Sequence, residues 1–256
     1  MKKLEIVYGI HPLIEAIIAK KNIRKLFFQR GLRQASNAYK KLMNLSKKEH
    51  IPIQSVSKQK FYQLKNKNHQ GVFAILSPIE TYHIKDLLSI FYEKGKNPLL
   101  IILDRIQDVR NFGSIIRTAA CAGADAIIIP KKDTAMIGSD AIKTSSGALF
   151  KIPICQEKNL LNTIEFLKNS GLKIVSATEK SNIYWYNIDF SGPTALILGN
   201  EEKGISSQYL KISYEKAKIP AIKGISSLNV SVACGVILYE IFRQRKYKSN
   251  KSKTHF

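Results

Sequence analysis

Leu99-Leu-Ile-Ile-Leu-Asp-Arg-Ile-Gln-Asp-Val-Arg-Asn-Phe-Gly-Ser-Ile-Ile-Arg117 decides how the rest of the chain is read. It opens with five apolar residues in a row rather than an alternation. That is the pattern of a strand buried on both faces, as in parallel sheets covered by helices. A polar turn follows, then apolar residues at helical spacing over Phe112–Ala122. The same succession recurs downstream. Ala126–Ile129, Leu172–Ala177, Ala195–Leu198 and the short Lys218–Ile219 read as strands, with Asn159–Lys168 and Leu228–Arg245 as helices. Such alternation predicts an α/β domain with a parallel sheet over residues 98–246.

Upstream lies a second, smaller α/β pattern over residues 1–78. His11–Lys21 is a helix with Leu13, Ile14, Ile17 and Ile18 on one side, and Arg33–Lys48 is another. Lys25–Gln29, Ile51–Val56 and Gly71–Leu76 read as strands, and Lys58–Leu64 as a short helix. Ser77-Pro78 ends the domain, because proline cannot continue a ladder. Residues 79–97 form a linker with a helix over Tyr82–Glu93 and a break at Gly95-Lys-Asn-Pro98. Residues 247–256 are a basic tail.

The 256 residues carry 41 Lys+Arg against 19 Asp+Glu, a net charge of +22. The excess is uneven. Residues 1–78 hold 16 basic and 3 acidic side chains, residues 98–242 hold 16 and 13, and residues 243–256 hold 6 and none. Only 8 of the 41 cations are arginine, so lysine richness by itself is compatible with compositional drift. Drift gives no reason for the second domain to stay nearly neutral. The asymmetry points to a polyanion held by the front domain and tail, with RNA or another phosphate backbone the usual target.

Other classes recede. No signal-peptide h-region follows Met1, and the uncharged stretch Gly224–Tyr239 is too short and polar for a membrane span, so a soluble cytoplasmic protein without a membrane partner is expected. Cys121, Cys155 and Cys234 form neither a disulfide framework nor a zinc set, and the five histidines are dispersed, so no metal is expected. No two glycines are separated by a single residue, which removes the G-x-G-x-x-G loop. No P-loop or G-x-S-x-G elbow occurs either.

Ligands of open parallel sheets bind beyond the carboxyl ends of the strands. Three polar clusters fall there: Asp104–Gly113 followed by Arg117, Gly199–Gly204, and Pro220–Asn229 leading into the last helix. Each residue also has an ordinary structural use. Asn111 would cap the helix it precedes, Arg117 would be a solvated helix residue, Gly199 and Gly204 turn glycines, and Ser227 and Asn229 caps. Their convergence on one sheet edge favours a site.

Asn111-Phe-Gly-Ser-Ile-Ile-Arg117, Leu198-Gly-Asn-Glu201-Glu-Lys-Gly204-Ile and Ile219-Pro220 through Ser227-Leu-Asn-Val-Ser231 resemble the three motifs of the SpoU (TrmH) family, RNA ribose 2′-O-methyltransferases of the SPOUT class. Val7-Tyr-Gly9-Ile-His-Pro-Leu-Ile-Glu15-Ala16 and His69-Gln-Gly71-Val-Phe-Ala74 resemble the opening helix and closing strand of the family's L30e-like substrate-binding domain. The resemblance implies a trefoil-knotted catalytic domain, a homodimer, and S-adenosylmethionine bent in the knot against Ala177, Thr178, Gly199, Ile219 and Leu228. It implies catalytic positions at Asn111, Arg117, Glu201, Ser227 and Asn229. With the front domain present, it implies a guanosine in the peptidyl-transferase region of large-subunit (23S) rRNA as the target. A tRNA ribose methyltransferase and a non-catalytic RNA-binding ribosome-assembly factor remain the alternatives.

One departure is visible: Asp108-Val109-Arg110 stands where many members carry Asp-Pro. In the family the counterpart of Arg117 is assigned as the base. A guanidinium stays protonated at ordinary pH, so phosphate holding and stabilisation of charge on O2′ suit it better. Asn111, Ser227 and Asn229 would then orient the hydroxyl, and Glu201 would fix Arg117 or its own loop.

Overall fold

In the computed structural model, which describes residues 5–31, 36–222 and 227–251, the chain divides into two units. One comprises Met1–Glu80 and Met136–Lys151, the other Thr81–Ala135 and Ile152–Phe256.

The front unit runs β1 (Glu5–Tyr8), α1 (Ile10–Ile18), β2 (Ile23–Gln29), α2 (Asn37–Lys48), β3 (Ile53–Val56), a 3₁₀ turn (Lys58–Leu64) and β4 (Val72–Leu76). Its sheet has the order β1-β4-β2-β3, with β4 antiparallel to both neighbours and β3 parallel to β2. Aromatic residues fill one face: Phe27 stacks on Phe73 at 4.6 Å, and Phe61 meets Phe73 edge-on at 5.0 Å. Gly9 joins β1 to α1 at φ 93°, a conformation that a side chain would strain. Ser36 starts α2 by accepting the Tyr39 N–H at 3.2 Å. That helix turns Lys40, Lys41, Lys47 and Lys48 to solvent. The helical reading at Arg33–Ala35 lies outside the described residues.

The second unit holds α3 (Ile84–Glu93), β5 (Leu99–Asp104), α4 (Val109–Cys121), β6 (Ala126–Pro130), and, after the excursion that contains α5 (Ser139–Thr144), β7 (Ile154–Glu157). Then come α6 (Leu160–Asn169), β8 (Lys173–Ala177), β9 (Ile183–Tyr184), β10 (Thr194–Gly199), α7 (Ser207–Ile212), β11 (Glu215–Lys218) and α8 (Val230–Lys251). The seven strands are parallel in the order β7-β6-β5-β10-β8-β11-β9. All six residues of β5 are buried. Ile84, Leu88, Leu160, Ile164 and Tyr209 from α3, α6 and α7 pack on Ile102, Ile128, Ile174 and Ile197, while α4 packs against α8. The last strand, β11, lies inside the sheet between β8 and β9.

Three sequence readings gain structural detail. Residues 136–151, read with the second domain, group spatially with the front unit. There Asp140 of α5 accepts bonds from Tyr8 and, at 2.6 Å, from Lys67, and Lys151 pairs with Glu15 at 2.6 Å. The tail is not a separate segment from 247, since α8 continues to Lys251. Nor are the two arginines of the basic C-terminal stretch 243–256 reserved for RNA. Arg243 grips Glu240 through two 2.7 Å bonds. Arg245 donates to the carbonyls of Asn97 (2.7 Å), Gly192 (2.7 Å) and Phe190 (3.1 Å), fastening α8 beside the start of β5. Among the described residues no helix is long and apolar enough to cross a membrane, and no three potential metal ligands cluster.

Candidate active site

The site is organised from Asp104, where the all-apolar run of β5 ends in a buried carboxylate. Arg105 folds back on it through Nε and Nη2, at 2.8 and 3.1 Å, and the Ser206 N–H and hydroxyl donate to it at 2.7 and 2.8 Å. Burying a carboxylate is costly unless its oxygens are fully hydrogen-bonded, as they are here. The bonded carboxylate in turn raises the Arg105 pKa. Arg105 also donates to the Gly204 carbonyl at 3.2 Å, and its own carbonyl accepts from Asn200 Nδ2 at 3.0 Å. One hub thus ties the loop after β5 to the loop after β10. The sequence reading named the cluster but gave Asp104, Arg105 and Asn200 no role; the signal was an acid closing a wholly apolar strand.

The second loop doubles back tightly. Asn200 Oδ1 accepts the N–H groups of Glu202 and Lys203, both at 3.0 Å, and the Gly204 N–H reaches the Asn200 carbonyl at 2.9 Å. At Gly199 an added Cβ would sit 2.4 Å from the Gly204 carbonyl carbon and from the Ile205 nitrogen. The Gly204–Ile205 peptide of the returning loop leaves no room there for any side chain.

Asp108, not Asn111, is the N-cap of α4, accepting the N–H groups of Arg110 and Asn111 at 2.9 Å. Asn111 is therefore released from capping, and its carboxamide is held from two sides. Its Nδ2 donates to Glu201, and its Oδ1 accepts from Asn229 Nδ2 at 3.1 Å. Asn229 does cap: its Oδ1 accepts the Ser231 N–H (2.9 Å) and hydroxyl (2.6 Å) at the start of α8. Residues from three chain-distant loops, 111, 201 and 229, are thus joined in one chain of hydrogen bonds. Glu201 holds Asn111, a partner beyond the two expected for it, Arg117 and its own loop. Arg117 is exposed on α4, about 9 Å further along the helix axis than Asn111.

Beside this chain opens a cavity of about 470 Å³, within the usual range for small-molecule sites. It lies at the carboxyl ends of β8, β10 and β11 and the start of α8. Ala177, Thr178, Gly199, Ile219 and Leu228 line it, as do Glu201, Ser227 and Asn229; Asn111 and Arg117 do not. The part of the third motif at 223–226 lies outside the described residues. Burial pushes the thiols of Cys155 and Cys234 up to about 12, so neither is a nucleophile at neutral pH.

The sequence profile of the SpoU rRNA Methylase family matches residues 98–239, and that of the RNA 2′-O ribose methyltransferase substrate-binding domain matches residues 6–82. A Staphylococcus saprophyticus chain bearing the name TrmH family tRNA/rRNA methyltransferase is 34% identical over 96% of this chain and 98% of its own. The chain belongs to the SpoU/TrmH family of RNA methyltransferases. The fold agrees. An AdoMet-bound rRNA methyltransferase from Sinorhizobium meliloti superposes with a TM-score of 0.75 at 24% identity, covering 94% of this chain and 87% of that one. A TrmH/SpoU tRNA modifying enzyme from A. aeolicus aligns at 28% identity with a TM-score of 0.53, over 68% of this chain and 89% of its own.

Proposed function

We propose that this family member transfers the methyl group of S-adenosylmethionine to the ribose 2′-hydroxyl of a guanosine in large-subunit (23S) rRNA. The observation that carries the reading is the Asn229–Asn111–Glu201 hydrogen-bond chain beside the strand-end cavity. The cavity suits the donor: Leu198, Ile205, Ala217, Ile219 and Leu228 offer apolar wall to an adenine ring, and strand-end backbone groups are available to its polar edge. Ala177, Thr178, Gly199, Ile219 and Leu228 would hold it. Bound there, it supplies an electrophilic methyl on a sulfonium.

The chain's own side chains do the rest. Aligning a ribose oxygen with a methyl carbon supplies much of the acceleration in such a displacement. Asn111 and Asn229 are oriented in advance, and each carboxamide nitrogen has a second N–H for a ribose oxygen. Ser227 adds a hydroxyl that can orient or relay the departing proton. Glu201 keeps Asn111 in place. Arg117 grips the target phosphate and offsets charge developing on O2′. Arg117→Lys keeps the charge but loses the planar fork. Turnover should fall well below wild type while RNA affinity stays near it; undiminished turnover would remove the clamp.

The front unit favours rRNA over tRNA. The substrate-binding profile covers residues 6–82, whereas the tRNA modifying enzyme aligns with only 68% of this chain. We also infer the trefoil knot, which fits the insertion of β11 between β8 and β9, and a homodimer formed through exposed Val232, Tyr239 and Phe242 of α8. The test is mass-spectrometric mapping of ribose methylation on 23S rRNA and tRNA incubated with the protein and labelled donor. A single 2′-O-methylguanosine in 23S rRNA is expected. Label confined to tRNA would overturn the rRNA assignment, and no label on either would overturn the enzyme reading.

A further inference from the structure

The edge strand β9 of the catalytic sheet runs through Tyr184 into a 3₁₀ turn that opens with Trp185 and Tyr186, three consecutive aromatic residues that neither the cavity nor the motifs use. Tyr184 and Tyr186 stack with ring centroids 5.4 Å apart and planes 17° apart, and Trp185 meets Tyr186 edge-on at 4.8 Å. Both tyrosines are open to solvent, at 38% and 50% exposure. Buried Gln244 of α8 holds the segment beneath them rigid. It accepts the Phe190 N–H and donates to the Ile188 carbonyl, both at 2.9 Å. Lys218 of β11 is in register with Tyr184, so its side chain emerges on the same face of the sheet. Lys216 and Lys180 stand nearby on the same two segments, against Glu179; Glu215 is paired with Lys173 at 3.3 Å. Lys180 and Thr178 also line the cavity, so Tyr184 is at most about 14 Å along the chain from its rim.

We propose that Tyr184 and Tyr186 form a stacking platform for an unpaired base of the RNA substrate, next to the nucleotide presented for methylation. The inference rests on the RNA methyltransferase reading and specifies how that site selects single-stranded RNA. Two rings already in contact leave no slot for insertion. A base therefore extends the stack from its open face while Lys218 meets the adjoining phosphate. Every base has a π-face, so the platform reads strandedness rather than sequence. Trp185 is the only tryptophan of the chain, which makes its fluorescence a local reporter.

The experiment titrates the full-length protein with an unstructured RNA oligonucleotide and with an abasic oligonucleotide of equal charge. Trp185 fluorescence should be quenched by the first and much less by the second. Tyr186→Ala should weaken binding of the first roughly tenfold or more, as loss of a base–aromatic stack does, and Tyr186→Phe should restore it. Equal quenching by both oligonucleotides, or unchanged RNA affinity of Tyr184→Ala and Tyr186→Ala, overturns the proposal. So does a loss of dimer mass in those variants with RNA affinity kept, since the face would then bind protein. Donor binding by calorimetry in the same samples tests the methyltransferase reading separately, because neither tyrosine lines the cavity.

Discussion

The two units bury their sheets to different extents. In the second, the central strand β5 is buried along its whole length, and helices cover both faces. In the front unit β3 is exposed at three of its four residues, and α2 lays four lysines on the surface. A sheet covered on both sides can meet a ligand only at its strand ends, and there the polar loops and the cavity are found. A sheet with an open edge and a cationic helix meets a polyanion along its surface. On the proposed reading, the main hold on the polyanion and the chemistry are divided by burial pattern as well as by charge. Substitutions should therefore separate donor binding, transfer and RNA affinity.

The largest effect is expected at Gly199. Gly199→Ala forces a Cβ onto two backbone atoms of the returning loop, a strain of roughly 3 kcal/mol, which corresponds to about 100-fold weaker donor binding. Calorimetry with S-adenosylmethionine reads this directly. RNA affinity should hold, and if it fell in step the division would be lost. Asn229→Asp comes next. A carboxylate still caps α8 but has no N–H to give Asn111 or a ribose oxygen, so transfer should fall about 10²-fold, with the melting temperature nearly unchanged. Single-turnover methylation measures it, and near-normal turnover would show that the carboxamide chain only holds the loops together.

Replacing Lys40, Lys41, Lys47 and Lys48 by Gln addresses the other side of the comparison. RNA affinity at moderate salt should drop by about tenfold or more. The slope of log K against log salt should flatten by about 0.7–0.9 for each phosphate that is no longer neutralised. Donor affinity should not change. An unaltered slope would place the polyanion elsewhere and return the lysines to composition.

Much of this was legible in the sequence, for a physical reason. Leu99–Asp104 needs no alternation because both faces are buried, and the apolar spacing of α2 marks its own helix, though not its Ser36 cap. What was missed is short or stabilised from far away. β9 has two residues, β7 has four, and α5 has six with only Ala141 and Ile142 buried, so none repeats its period often enough to be read. The bonds that hold α5, from Tyr8 and Lys67 to Asp140, span 132 and 73 positions. In the site, the motif residues were visible but their connections were not. Nothing in the spacing says that Asp108 would cap α4 and leave Asn111 to Glu201 and Asn229, or that Arg245 would fasten carbonyls rather than wait for phosphate.

The smallest effect sharpens the comparison most finely, because each unit starts a helix with a side-chain cap and only one of the two titrates. Ser36→Ala and Asp108→Ala should each cost about 1 kcal/mol, seen as a modest drop in melting temperature at neutral pH. Bonds from backbone N–H groups, that of Asn111 first, hold the Asp108 carboxyl below its ordinary value of 3.8. A carboxyl with a lowered folded-state pKa stabilises fully above the unfolded value and loses that contribution as pH falls through the folded one. The gap between wild type and Asp108→Ala should therefore close as pH drops below about 4, while the Ser36→Ala gap persists. Asp108→Asn, an equally good cap without the charge, should retain most of the stability at both pH values. If the Asp108→Ala gap were independent of pH, the carboxylate would be acting through shape alone, and the entry of α4 that delivers Asn111 to the site would owe nothing to its charge.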